Sequence, residues 1–204
     1  MCGIVGYIGP REVVPLLIDG LRRLEYRGYD SAGVAVVADG GLETRRAEGK
    51  LDRLIERLRE QPLSGSYGVA HTRWATHGKP TERNAHPVVD SKNRIAIIHN
   101  GIIENFLVIK RRLLAEGWTF ATDTDTEVIA NLVSSYYARD LAAAVKRAVG
   151  ELEGMYACAL IGTESTLGDD EEIVAVRQGT PLVLGLGQGE SFLASDPAAL
   201  IAHT

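Results

Sequence analysis

Apolar residues recur along the chain at two different spacings, and each spacing predicts one kind of element. Helical spacing predicts five amphipathic helices, over 11–25, 51–58, 106–116, 124–136 and 141–152. Short runs rich in β-branched residues predict strands at 2–8, 32–37, 42–48, 67–72 and 94–99, and several more between 155 and 194. Because helices stand between runs of strands, the order predicts an α+β fold with helices layered on mainly antiparallel sheets.

Local signals refine these bounds. Asn105 is a candidate cap for the helix that follows it, and Thr124 with Glu127 has the spacing of a capping box. A long loop is expected from Arg73 to Asp90. The pair Asn100-Gly101 ends an apolar strand and, as local structure, signals a turn.

Composition describes an ordinary globular protein. The chain has 204 residues, 45% of them hydrophobic, and a net charge of −5. No basic face for nucleic acid and no membrane span is indicated, so we expect a cytoplasmic protein. The length allows one large domain or two small ones. Its two cysteines, Cys2 and Cys158, do not form a secreted disulfide framework, and Cys158 lies in an apolar run that predicts a buried, inert thiol.

Cys2 carries the first candidate chemistry. If Met1 were removed, Cys2 would hold a thiol and a free α-amino group on one residue. The amine titrates at about 7.7–8.0, so near neutral pH a useful fraction can accept the thiol proton. Taken alone, Cys2 fits an ordinary buried thiol at the start of a strand equally well.

A dense polar run, His71 to Gly78, leaves the fourth predicted strand. The planar guanidinium of Arg73 suits a substrate carboxylate, although a surface salt bridge would explain it as well. Trp74 is either a mobile cover or a core aromatic.

Asn100-Gly101 and Asp125 admit functional interpretations beside their structural ones. An Asn amide followed by a glycine N–H can form an oxyanion hole. Asp125 lies at a predicted helix start, where it would favour the macrodipole or bind an α-ammonium group. Arg73 and Asp125 together would clamp the two charges of an amino acid.

Four of the five histidines, His71, His77, His86 and His99, fall close together in the sequence. No paired spacing typical of a metal site is present, so we expect structural histidines, no metal and no cofactor.

Taken in chain order, these motifs resemble those of one family. They are Cys2-Gly3-Ile4-Val5-Gly6, the run Leu24 to Gly33, His71 to Gly78, His99-Asn100-Gly101 and Thr124 to Glu127. The pattern resembles the glutaminase domain of class II amidotransferases, which are N-terminal-nucleophile enzymes. The sequences of Tyr26 to Asp30 and of Arg73 to Gly78 are most similar to those of glucosamine-6-phosphate synthases.

The resemblance implies a four-layer αββα sandwich over residues 1–204 and hydrolysis of L-glutamine through a thioester. It implies Cys2 as nucleophile, Asn100 and Gly101 as oxyanion hole, and Arg73 and Asp125 as ligands of the glutamine carboxylate and ammonium. A loop containing Trp74, Thr76, His77 and Gly78 would close over glutamine, and Arg27 would support the nucleophile's surroundings. Whole synthases pass ammonia to C-terminal isomerase domains that bind fructose 6-phosphate, and we expect the full-length protein to be a homodimer.

Two departures from the family pattern bear on this interpretation. The isomerase half is absent, and family glutaminase domains usually continue into further strands, so we expect a piece of a longer enzyme. Met1 precedes Cys2, and its retention would favour a domain that binds glutamine without hydrolysing it. A nucleophile hydrolase acting on another amide is the other alternative, which an Arg73–Asp125 clamp disfavours.

Overall fold

The computed structural model describes residues 2–38, 40–76, 78–163 and 172–203. These residues form ten strands and five α-helices. In chain order they are β1 (Gly3–Ile8), α1 (Val13–Arg23), β2 (Ser31–Ala38), β3 (Gly41–Glu48), α2 (Leu51–Glu60), β4 (Tyr67–Arg73), β5 (Val88–Val89), β6 (Ile95–Ile103), α3 (Phe106–Ala115), α4 (Asp125–Tyr136), α5 (Leu141–Val149), β7 (Gly154–Gly162), β8 (Val174–Gln178), β9 (Val183–Leu186) and β10 (Ser191–Ala194). Short 3-10 helices lie at Glu25–Arg27, Glu82–Asn84 and Pro197–Ala199.

The strands form two antiparallel sheets. One has six strands in the order β3-β2-β4-β1-β10-β9, and the other has four in the order β5-β6-β7-β8. β1 is a central strand, since Gly3 pairs with Thr72 of β4 and Val5 pairs with Ala194 of β10. The first strand of the chain is thus hydrogen-bonded on both sides.

Three apolar clusters separate four layers. Helices α1 and α2 pack on the outer face of the six-stranded sheet, through residues such as Leu17, Leu21 and Leu54. A second cluster, which includes Ile4 and Ile98, fills the space between the sheets. The third joins α3, α4 and α5 to the outer face of the four-stranded sheet. The predicted αββα sandwich is confirmed.

The prediction of a turn at Asn100-Gly101 is wrong. β6 continues through both residues to Ile103, and Gly101 pairs with Tyr156 of β7. Only Gly101 adopts a positive φ, of 125°, whereas a tight hairpin turn often needs two such residues. Pairing with β7 therefore overrides the local turn preference.

Of the two predicted helix caps, the one at Asn105 is wrong and the one at Thr124 is confirmed without its capping box. The Asn105 side chain does not cap α3; its Nδ2 donates to the Glu151 carbonyl and its Oδ1 accepts from the Glu153 N–H. Thr124 does cap α4 by accepting from the Glu127 N–H at 3.4 Å. The Glu127 carboxylate does not complete a capping box, since it accepts from the N–H groups of Ala121 and Thr122.

Other expectations hold with small changes. The predicted loop 73–90 contains the Glu82–Asn84 turn and β5, and the helix predicted to residue 152 ends at Val149. Cys158 lies in β7, where burial raises the pKa of its thiol, as expected of an inert cysteine. Across the described ranges, no helix combines the length and apolar character that crossing a bilayer requires.

Candidate active site

Cys2 lies directly before the central strand β1 and is half-buried. Its Sγ accepts a hydrogen bond from the Trp74 N–H at 3.1 Å. Burial raises the pKa of the thiol, against the lowering effects of this N–H and of the Arg73 charge. The thiol is therefore mostly protonated near neutral pH, and a reaction at sulfur needs a base. Met1 lies outside the described residues.

Gly3, the residue after Cys2, has no room for a side chain unless its neighbours shift. A Cβ at Gly3 would lie 2.6 Å from Thr72 Oγ1 and 2.9 Å from Leu24 Cδ1. Thr72 Oγ1 also accepts from the Gly3 N–H at 3.1 Å. Close approach of β1 to β4 thus places Cys2 beside Arg73, the last residue of β4, after which the polar loop begins.

Asn100 lies in β6 of the four-stranded sheet and contacts Cys2, which precedes a strand of the six-stranded sheet. Its side chain is buried, and its Nδ2 donates to the Cys2 carbonyl oxygen at 3.0 Å. Its Oδ1 lies 2.8 Å from His71 Nε2. Gly101 follows in a conformation that admits no side chain, because a Cβ there would lie 2.1 Å from the Met155 carbonyl oxygen.

Arg73 and Asp125 place opposite charges near each other and near Cys2. Arg73 is buried; burial lowers its pKa, whereas the nearby charges of Asp30, Cys2 and Asp125 raise it. Asp125 is buried in the first turn of α4, and its Oδ2 accepts from the Ile103 N–H at 3.0 Å. A buried cation and a buried anion in the same region can bind the carboxylate and the ammonium of one amino acid.

The loop after β4 is held at its base. Asp30 Oδ2 accepts from the Ala75 N–H at 2.6 Å, and the Asp30 N–H donates to the Arg73 carbonyl at 2.8 Å. Trp74 is 57% exposed, and its ring lies 3.4 Å from where a Cβ on Gly28 would stand. Trp74 is therefore an exposed aromatic residue and not a core residue.

Of the loop residues Thr76, His77 and Gly78, the structure describes Thr76 and Gly78. Thr76 is exposed, and the Gly78 carbonyl accepts from Arg73 Nη2 at 3.5 Å. Gly78 has a φ of 76°, and a Cβ there would lie 2.7 Å from Asn84 Nδ2. His77 lies outside the described residues.

Three residues that sequence reasoning missed support this region. Asn84 ties the loop to the turn before α4, since its Oδ1 accepts from the Asp123 N–H at 3.0 Å. Ser195 Oγ accepts from the Ile4 N–H at 3.0 Å and from Arg27 Nη1 at 3.3 Å. Asp196 forms an ion pair with Arg27. Arg27 thus reaches the nucleophile's strand through Ser195.

Three histidines form a buried polar cluster beside Asn100, namely His71, His86 and His99. Thr126 Oγ1 lies 2.7 Å from His86 Nε2 and 2.9 Å from His99 Nδ1. Among the residues that the structure describes, no group of three His, Cys, Asp or Glu side chains is placed to hold a metal ion. These histidines take part in hydrogen bonds inside the protein.

Comparison with known proteins identifies the family. A family model described as a glutamine amidotransferase domain matches residues 71–202. The glutamine–fructose-6-phosphate aminotransferases (isomerizing) of Clostridium tetani and Symbiobacterium thermophilum are 48% and 52% identical to this chain. Each alignment covers 100% of this chain and 33% of the relative, so the chain spans a third of their length.

A solved structure of an amidotransferase supports the same family assignment. The glutamine phosphoribosylpyrophosphate amidotransferase from B. subtilis, complexed with ADP and GMP, matches with a TM-score of 0.83 and 26% identity. The match covers 98% of this chain and 43% of that one. The resemblance inferred from the motifs is confirmed: this chain belongs to the glutamine amidotransferase domain family, in its N-terminal-nucleophile branch.

Proposed function

We propose that this domain hydrolyses L-glutamine to glutamate and ammonia with Cys2 as the nucleophile. The observation that carries the proposal is the convergence on Cys2 of the Trp74 N–H, the Asn100 amide and the Arg73 guanidinium. The Cys2 thiolate attacks the γ-carbonyl carbon, the C–N bond breaks, and the protonated nitrogen leaves as ammonia. Water then hydrolyses the γ-glutamyl thioester and restores the thiol.

The α-amino group of Cys2 serves as the base when Cys2 is the first residue. The raised pKa of the thiol supports this role, because little thiolate forms without a base. The amine takes the thiol proton and returns it to the leaving nitrogen, so no proton is lost in the first step.

The oxyanion of the tetrahedral intermediate is stabilised by Asn100 and by the Gly101 N–H. An Asn side chain carries two N–H donors, and the Cys2 carbonyl uses one of them. The second donor remains for the oxygen that gains charge during attack. Such donors raise the rate because they bind more strongly in the transition state than in the ground state.

Arg73 binds the glutamine α-carboxylate and Asp125 binds its α-ammonium. Both side chains are buried, which strengthens charge pairing by excluding water. This clamp selects a free amino acid over a peptide amide. Trp74, Thr76, His77 and Gly78 form the loop that covers glutamine, and Arg27 supports the strand of the nucleophile.

In the full-length protein, the ammonia is used to convert fructose 6-phosphate to glucosamine 6-phosphate. The names of the relatives and the third of their length that the chain spans support this assignment. Residues 1–204 belong to the glutaminase domain, and isomerase domains complete the enzyme. The full-length protein acts as a cytoplasmic homodimer.

The test measures glutamate released from glutamine by the wild type, Cys2→Ala and Cys158→Ala. Cys158 is a matched control, because it is a buried thiol whose raised pKa makes it unreactive. We expect Cys2→Ala to abolish glutamate release and Cys158→Ala to retain it. Acid-quenched wild type should carry the mass of a γ-glutamyl group. Turnover by Cys2→Ala would overturn the proposal, and wild type that binds glutamine without releasing glutamate would indicate a sensing domain.

A further inference from the structure

The orientation of the Asn100 amide is fixed by its two neighbours. The Cys2 carbonyl can only accept a hydrogen bond, so the Asn100 atom 3.0 Å from it is the donor Nδ2. The atom that faces His71 is therefore the acceptor Oδ1, at 2.8 Å from His71 Nε2. An acceptor oxygen requires a donor opposite it, so His71 carries its proton on Nε2.

His71 is itself held rigidly. It lies in β4, between β1 and β2, and is fully buried. Its ring packs against the His86 ring with the centroids 4.6 Å apart. His86 is fixed in turn by Thr126 Oγ1, which lies 2.7 Å from its Nε2. The donor that meets Asn100 therefore has little freedom to move.

His71 also remains neutral over the pH range in which the enzyme would work. Burial lowers its pKa to about 3, and the nearby His99 and Arg73 add to this effect, against the raising effect of its bond with Asn100. Burial likewise lowers the pKa of His86 well below its usual value. Across neutral pH, His71 thus presents one constant donor to Asn100.

We propose that His71 is a positioning residue that holds the Asn100 amide with Nδ2 toward the nucleophile. The inference rests on the proposed role of Asn100 in stabilising the oxyanion. Without the His71 donor, only the Cys2 carbonyl opposes rotation of the Asn100 amide, so the amide presents its oxygen more often where negative charge develops. An oxygen there repels the oxyanion instead of stabilising it.

Two amide substitutions at His71 test this inference. His71→Gln places an amide N–H donor at nearly the position of His71 Nε2. His71→Asn has one methylene group fewer, so its amide N–H does not reach Asn100 Oδ1. We expect His71→Asn to lower kcat by about 10- to 100-fold with KM for glutamine within about twofold, since the oxyanion exists only in the transition state. His71→Gln should restore most of the rate.

Loss of stability is controlled separately. Val145→Ala shortens a buried side chain in α5, in the cluster on the outer face of the four-stranded sheet. It should lower the denaturation midpoint without lowering kcat. If His71→Gln is folded and yet loses as much rate as His71→Asn, the positioning role is refuted.

A double-mutant cycle with Asn100→Ala separates positioning from general damage. In the Asn100→Ala background there is no amide to orient, so His71→Asn should produce no further loss of kcat. A full additional loss would overturn the inference. If Asn100→Ala alone leaves kcat unchanged, the proposed oxyanion role fails; if it lowers kcat and His71→Asn does not, only the role of His71 fails.

Discussion

At the scale of single residues, Arg73 is a buried cation with acidic groups around it. We predict that Arg73→Ala raises KM for glutamine about ten- to hundred-fold while kcat at saturation changes little, because a charge-assisted contact worth about 1.5–3 kcal/mol is lost. Steady-state glutaminase assays measure both constants. Arg112→Ala removes an exposed ion-paired arginine and should leave KM unchanged. An unaltered KM in Arg73→Ala would remove Arg73 from the binding site.

The α-amine of Cys2 gives a second prediction at this scale. Any residue retained before Cys2 turns its amine into an amide, which has no basic lone pair. General-base assistance is worth about 10²–10⁴-fold, so we expect an N-terminal extension to lower kcat by that order. Intact mass identifies each N-terminus, and glutamate release gives the rates. A C-terminal extension is the control, and equal rates with both extensions would show that the amine is not the base.

Sequence reasoning selected Cys2, Arg73, Asn100 and Asp125, and the structure places them in one region. Their side-chain chemistry and the elements that carry them are visible in short motifs. Ser195 and Asp196 were missed, because their roles depend on contacts with Ile4 and Arg27 from the far end of the chain. Serine and aspartate in such positions usually face solvent, so no local pattern distinguishes them.

At the scale of elements, β6 depends on Gly101. A Cβ at this position would lie 2.1 Å from the Met155 carbonyl oxygen, whereas at Gly117, with a φ of 89°, it would meet nothing within 4 Å. We predict that Gly117→Ala costs about 1–3 kcal/mol, from backbone strain alone. Gly101→Ala should cost a further 1–3 kcal/mol or so from the steric clash. Urea unfolding measures both, and equal losses would show that β7 yields to the added methyl group.

The amphipathic helices were predictable because burial of one face imposes a period of 3.6 residues. The turn expected at Asn100-Gly101 failed for a tertiary reason: β7 offers backbone partners as far as Ile103. β5 has only two residues, Val88 and Val89, too few to show a period. Elements defined by a partner strand are thus the ones that the local pattern predicts least well.

At the scale of the whole molecule, the buried histidines make stability depend on pH. Burial lowers the pKa of His71 to about 3 and lowers that of His86 well below its usual value. Between about pH 6.5 and 5 the unfolded chain therefore binds protons that the folded chain excludes, so stability falls as pH falls. Each histidine contributes up to about 1.4 kcal/mol per pH unit in this window.

Urea unfolding of the wild type at several pH values between 6.5 and 5 tests this dependence. His71→Gln removes one of the two titrating groups, so its unfolding free energy should depend less steeply on pH. Val145→Ala removes no titrating group, so it should retain the wild-type slope. A wild-type stability that is constant over this window would contradict the prediction.

The central position of β1 has a consequence for biosynthesis. Residues 5–8 of β1 pair with residues 191–194 of β10, and the Ile4 N–H donates to a side chain 191 positions later. Although Cys2 emerges from the ribosome early, its strand cannot gain both neighbours until the chain through Ala194 has been translated. Such long-range pairing slows folding. We therefore expect the nascent chain to be inactive until β10 has been made and has paired with β1, so glutamine is not hydrolysed before the sandwich has closed.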